Sequence, residues 1–143
     1  PSAVIRLVDM GVPRYLIASS LNLVIAQRLV RRPCQHCMQP QVPDPETRQR
    51  LHLTQEPSLA MVVGRGCEKC EAHGYRGRTG VFEVLPVTKD VRAALMSGGD
   101  EATLAAAARA SGWKPLLESG VEVATRRLTT AAELLRVLLA GSL

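Results

Sequence analysis

The sequence predicts an α+β fold that is mostly helical, with a short β element and a tetracysteine zinc-binding arm. Three observations lead there. All four cysteines fall in two pairs, Cys34-Gln-His-Cys37 and Cys67-Glu-Lys-Cys70, separated by a long arm. Residues 81–87 are an apolar, β-branched run and the best strand pattern in the chain. Most of the rest has helical periodicity broken by capping residues and glycines.

Taken in order, residues 1–10 are mostly apolar, and Gly11 and Pro13 interrupt them. Residues 15–32 are expected to be one helix, because Ile17, Leu21, Val24, Ile25 and Leu29 recur at helical spacing. Arg28 would fall near the middle of that apolar stripe. Its guanidinium must then reach an acidic or carbonyl partner, or snorkel past the helix end. Pro33 ends the helix and delivers the chain into Cys34.

The cysteine spacing is that of a tetrahedral zinc site. A Cys-x-x-Cys turn can aim both sulfurs at a point about 2.3 Å away, and two such turns complete the coordination. Cys34, Cys37, Cys67 and Cys70 are the expected ligands of one zinc ion. Four thiolates leave no open position for water, so the site is expected to be structural and not catalytic. His36, inside the first pair, is expected to point away from the metal. The alternatives are two short disulfides, free thiols or a redox dithiol. No secretory signal precedes the cysteines, and a redox motif needs no matching second pair.

Between the pairs, Pro40, Pro43, Pro45 and Pro57 punctuate a polar segment. Asp44 can cap a short helix over residues 45–52 with Pro45 at its first position. Residues 59–63 read as a short strand leading to Gly64-Arg65-Gly66. Gly74, Gly77 and Gly80 suggest a tight loop carrying Tyr75, Arg76 and Arg78. After the strand, Thr88 can cap a helix to about residue 96, and Asp100 a second over residues 101–110. A third helix is expected over residues 115–125. Thr130 and Glu133 form a capping box before a last helix with Leu134, Leu135, Leu138 and Leu139 on one stripe. Three segments follow: 1–33, 34–78 and 79–143.

Composition narrows the function. Of 143 residues, 46% are hydrophobic but only 3% aromatic, so the core must be built of Leu, Val, Ile and Ala. No apolar run approaches the roughly 18 residues a membrane-spanning helix needs. The net charge of +5 is uneven: residues 1–78 carry eleven Arg/Lys against six Asp/Glu, and residues 79–143 seven of each. A basic first half suits nucleic acid, phosphate groups, an acidic membrane face or an acidic partner. Paired thiols without a secretory signal point to a reducing compartment, the cytoplasm. Pro1 stands where an initiator Met would, and the chain reads as part of a longer polypeptide.

In fixed order the chain carries Ile17-Ala-Ser-Ser20, Ala26-Gln-Arg-Leu29, the first cysteine pair, Gly66 before the second pair, Gly74-Tyr-Arg-Gly-Arg-Thr-Gly80 and Glu83. This order resembles the C-terminal part of the ATPases of type II secretion and type IV pilus assembly. The ending around Leu128-Thr-Thr and Glu133-Leu-Leu-Arg136-Val137 is similar to that family's final helix, with Arg127-Leu128-Thr129 where the family usually has Gly-Ile-Thr. The resemblance implies a cytoplasmic homohexameric ring, peripheral at the bacterial inner membrane. Its hydrolysis of ATP with Mg2+ moves an inner-membrane platform protein to assemble a pilus or pseudopilus. It also implies that the four cysteines are the family's zinc-binding insertion. Arg78 would be the nucleotide-binding arginine that lies against the adenine, with an ion pair to Glu83 as the alternative. Gln27 and Arg28 would be packing and ring-contact residues. No glycine is followed by lysine, so the phosphate loop of such an ATPase is not in these residues, and this stretch alone is not expected to hydrolyse ATP. A competing reading is a stand-alone tetracysteine zinc module that binds nucleic acid. The scarcity of aromatics for base stacking disfavours it.

Overall fold

The computed structural model describes residues 1–53 and 59–139. Pro57, at the end of the proline-rich arm, lies outside the described residues. The architecture is α+β, as the sequence predicts. The chain divides into two compact units: residues 1–26 with 83–114, and residues 27–82 with 115–143.

The first unit contains α1 (Ser2–Asp9), α2 (Arg14–Ser20), α4 (Lys89–Met96) and α5 (Glu101–Ala110). Val4, Ile17, Leu85, Val91, Leu95, Leu104 and Ala108 are buried together with Trp113. The helix starts are those the sequence marked: Thr88 accepts from the Val91 amide and Asp100 from the Thr103 amide. Two arginines satisfy carbonyls at helix ends. Arg14 donates to the Leu95 and Gly99 carbonyls at 3.0 and 3.2 Å, and Arg92 donates to the Ala18 carbonyl and to Asn22. A helix's last carbonyls lack internal partners, so such cations stabilise its end twice, by hydrogen bond and by charge.

The expected helix over residues 15–32 is corrected here. The helical part is α2, which ends at Ser20, and residues Leu23–Pro33 form strand β1. β1 pairs with β4 (Tyr75–Pro86). The hydrophobic spacing fits both periods, since Leu23, Ile25 and Leu29 also alternate. Leu23, Ile25, Gln27 and Leu29 are all exposed, while Val24 and Ala26 are partly covered and Val30 is buried. A strand with a hydrogen-bonded partner wins over an isolated helical stripe. Gln27 and Arg28 therefore sit on a strand, and Arg28 is exposed, its side chain donating to the Gln27 carbonyl. The glycine-rich segment is also strand: β4 begins at Tyr75, six residues before the expected start.

The second unit adds β2 (Met38–Gln41), α3 (Pro45–Arg50), β3 (Met61–Gly64), α6 (Leu116–Thr125) and α7 (Ala131–Leu134), which continues into a π-helical turn, Leu135–Leu139. Its core gathers Val30, Leu51, Leu53, Met61, Val81, Ala124 and Leu134. Asp44 caps α3 through the Thr47 amide, as its position beside Pro45 predicts. α6 ends with the Arg127 amide on the Ala124 carbonyl and the Leu128 amide on that of Val123, which places Arg127 in left-handed backbone at φ 61°.

Candidate metal centre

Four thiols far apart in sequence meet because two strands set their register. β1 ends at buried Pro33, and the Cys34 amide donates to the Gly74 carbonyl at 2.9 Å, tying the first pair to the end of the second. Cys37 immediately precedes β2, which runs antiparallel to β3 with Met38 opposite Gly64 and Gln41 opposite Met61. That register puts the exit of β3 beside the first pair, where the Arg65 amide donates to the Cys37 carbonyl at 3.1 Å. The chain then turns through a single 3-10 turn, Glu68–Cys70, which brings Cys70 back over Cys67.

The result is a cluster of free thiols. Sγ–Sγ separations are 3.9 Å for Cys34–Cys67, 3.8 Å for Cys37–Cys70 and 3.7 Å for Cys67–Cys70. All four sulfurs lie within 4.8 Å of one another. A tetrahedron with metal–sulfur bonds of about 2.3 Å has edges of about 3.8 Å. The cluster could hold a metal ion, and its donor set is the soft, four-sulfur kind.

Backbone amides already point at three of the sulfurs, the Cys70 amide at Cys67 Sγ among them. Gly66 donates to Cys37 Sγ at 3.3 Å, and the Cys67 and Gly74 amides each donate to Cys70 Sγ at 3.2 Å. Burial alone pushes the Cys70 thiol up, but those two amides, together with hydrogen bonds from the Cys67 and Cys37 thiols, outweigh it and hold it down at about 7. Burial pushes Cys37 up to about 11 despite its Gly66 donor, and it raises Cys67 too. In such a cluster one thiol ionises first, and a cation must arrive for the others to follow.

Two glycines hold this geometry. A Cβ on Gly64 would sit 1.8 Å from the Gly74 carbonyl oxygen, and one on Gly74 would sit 2.3 Å from that of Gly64. The backbones of β3 and the second pair's exit thus touch with no room for a side chain. Gly77, by contrast, has nothing near its missing Cβ.

Arg78 lies on β4, exposed, and makes no hydrogen bond or ion pair among the described residues. The structure does not bring it to the cysteines. His36 is likewise exposed.

A second charged cluster escaped the sequence reading. Glu133, whose side chain is fully buried, accepts from the Arg31 amide at 3.0 Å and from its guanidinium at 2.9 and 2.7 Å. Arg136 adds two bonds at 2.8 and 2.7 Å. Burial alone would raise the Glu133 carboxyl. The Arg136 and Arg31 donors overcome it and hold the group at about 2. Arg31 also stacks 4.1 Å over the Tyr75 ring, and the Tyr75 hydroxyl hydrogen-bonds with that of Thr130 at 2.9 Å. The end of β1, the start of β4 and α7 are joined through this cluster. Its sequence signal was the capping box, and only half of the box forms: Thr130 accepts from the Glu133 amide, while the Glu133 carboxylate is taken by arginines.

Comparison with known proteins places the chain in a family. Residues 1–136 match the family described as type II/IV secretion system protein. The chain is 39% identical over 135 residues to the type IV pilus assembly ATPase PilB of Thermus thermophilus, covering 93% of this chain and 15% of that protein. It is 40% identical over 135 residues to the type II secretion system protein E of Klebsiella pneumoniae, covering 94% and 27%. With the protein transport protein HofB homolog of Escherichia coli the identity is 41% over 139 residues, covering 94% and 28%. The chain thus spans between 15% and 28% of the length of these relatives. It belongs to the type II/IV secretion system protein family.

Proposed function

We propose that this chain is the zinc-bearing C-terminal region of an ATPase that drives type II secretion or type IV pilus assembly. The observation that carries the reading is the sulfur tetrahedron, formed in a chain of this family by residues from two distant turns. Cys34, Cys37, Cys67 and Cys70 would hold one zinc ion. A zinc ion with four thiolates has no open position, so it supplies folding energy and not Lewis-acid chemistry. Its role is to hold β2, β3 and the second pair in one register, with residues 34–78 as the zinc-binding segment.

Nucleotide hydrolysis belongs to residues beyond these 143, since no Gly-Lys phosphate loop occurs among them. The rest of the reading follows the family resemblance of the sequence: a homohexameric ring binding ATP and Mg2+, on the cytoplasmic side of the inner membrane, acting on a membrane platform protein. No helix among the described residues is long and apolar enough to cross a membrane, which fits a peripheral position. Arg78, exposed on β4 and without an ion pair among the described residues, is available to stack on adenine.

The test is metal content. The purified chain should carry one zinc per molecule by mass spectrometry, and Cys67→Ser should release it and unfold residues 34–70 while leaving α4 and α5 intact. Full occupancy in the variant, or none in the wild type, would contradict the assignment.

A further inference from the structure

A cavity of about 250 Å3 opens beside the thiols, lined by Arg32, Pro33, Cys34, Gln35, His36 and Arg76. We propose that Arg32 and Arg76 are the outer cations of the metal centre, offsetting the charge of the metal–thiolate cluster and thereby setting its metal affinity. The inference rests on the zinc reading above and concerns residues that the four-ligand account leaves out.

Three observations converge. A divalent ion on four thiolates leaves a net charge of about −2, which must be met by hydrogen bonds or cations in a partly buried site. Amide donors reach Cys37, Cys67 and Cys70, but among the described residues none reaches Cys34. Cys34 is fully buried, and it is the sulfur-bearing residue that lines this cavity. Its charge is the one left without a donor.

The cations face that side. Arg32, half-buried near the end of β1, and Arg76, on the paired strand β4, line one cavity with no carboxylate among its lining residues. Neither makes an ion pair or hydrogen bond among the described residues, whereas neighbouring Arg31 is committed to Glu133. Two like charges sharing a cavity repel each other unless a negative group lies against both. A filled tetrathiolate is such a group. Guanidinium also keeps its charge at any working pH, so the compensation persists while the thiolates form.

The test is a metal titration of the 143-residue chain, with cobalt(II) as the optical probe and a chelator competition for zinc. Arg32→Gln with Arg76→Gln should weaken zinc binding by about 10- to 100-fold, the range usual for residues just outside a metal's ligands. The corresponding Lys variants should stay near wild type, and Arg76→Glu should lose more than Arg76→Gln. The cobalt spectrum should be the same in all, because the four sulfurs are untouched. Arg50→Gln, exposed on α3, serves as the control for total charge. Affinities that agree within about two-fold across Gln, Lys and Glu would overturn the inference alone. No metal uptake by the wild-type chain would overturn the zinc reading and this inference with it. Thermal melts on each apo variant separate loss of fold from loss of affinity.

Discussion

Glu133→Gln removes one negative charge and keeps the side chain's shape. The carboxylate it replaces accepts five bonds from Arg31 and Arg136 and is shielded from water. The amide must turn its NH2 toward a guanidinium, so at least one donor loses its acceptor and two cations lose their counter-charge. The two guanidinium groups left behind are about half exposed and regain water, which brings the loss to the low end of the roughly 3–5 kcal/mol of a fully buried pair. The pH dependence gives a second estimate. The folded carboxyl sits at about 2 against an ordinary 4.5, so the group contributes stability above 4.5 that is lost as pH falls toward 2. At 1.36 kcal/mol per pH unit that comes to about 3 kcal/mol. The two routes agree in size. The assay is urea unfolding at several pH values, followed by far-UV circular dichroism and by the fluorescence of Trp113. Trp113 belongs to the first unit and Glu133 to the second, so the dichroism should move and the fluorescence transition should move less. Thiolate protonation also destabilises both proteins in acid, but it is common to them and cancels in the difference. The wild-type advantage should be full at pH 6 and nearly gone at pH 2. A difference below 1 kcal/mol at pH 6, or one that does not shrink in acid, would refute the reasoning.

Other perturbations test the remaining contacts. Gly64→Ala places a methyl against the Gly74 carbonyl; it should cost about 1–3 kcal/mol or more and lower metal retention, read by zinc content after dialysis. Arg127→Gly removes the strain of a left-handed φ of 61° at the end of α6; thermal melts should show a gain of about 0.5–1 kcal/mol. Arg78→Ala, made in the full-length protein, should weaken ATP binding by about 2- to 30-fold if the guanidinium stacks on the base, with zinc content unchanged. An unchanged nucleotide affinity in calorimetry would remove Arg78 from the nucleotide site.

What the sequence makes legible here is local. The two cysteine pairs announce a tetrahedron because each pair is one turn, and the arm between them only has to return. Thr88, Asp100 and Asp44 mark helix starts because a cap and its amide partner are three residues apart. Residues 23–33 were misread for the complementary reason. Their apolar positions satisfy period 2 and period 3.6 about equally, and the arbiter is β4, some fifty residues downstream. The β-branched Val24, Ile25 and Val30, and the break at Asn22, were the signals that favoured a strand.

Glu133 makes the same point about the candidate sites. Read locally, it completes a capping box with Thr130, in which its carboxylate would reach back to a solvent-facing amide. In the fold, Arg31 arrives from 102 residues away and Arg136 from the next turn. A carboxylate that can choose between one neutral amide and two guanidinium groups takes the guanidinium groups, because charge-assisted bonds are about twice as strong. The cap then keeps only the half that Thr130 supplies. Arg32 and Arg76 follow the same logic in reverse: their sequence context is an ordinary basic stretch, and only the meeting of β1 with β4 beside Cys34 gives the two charges something to offset.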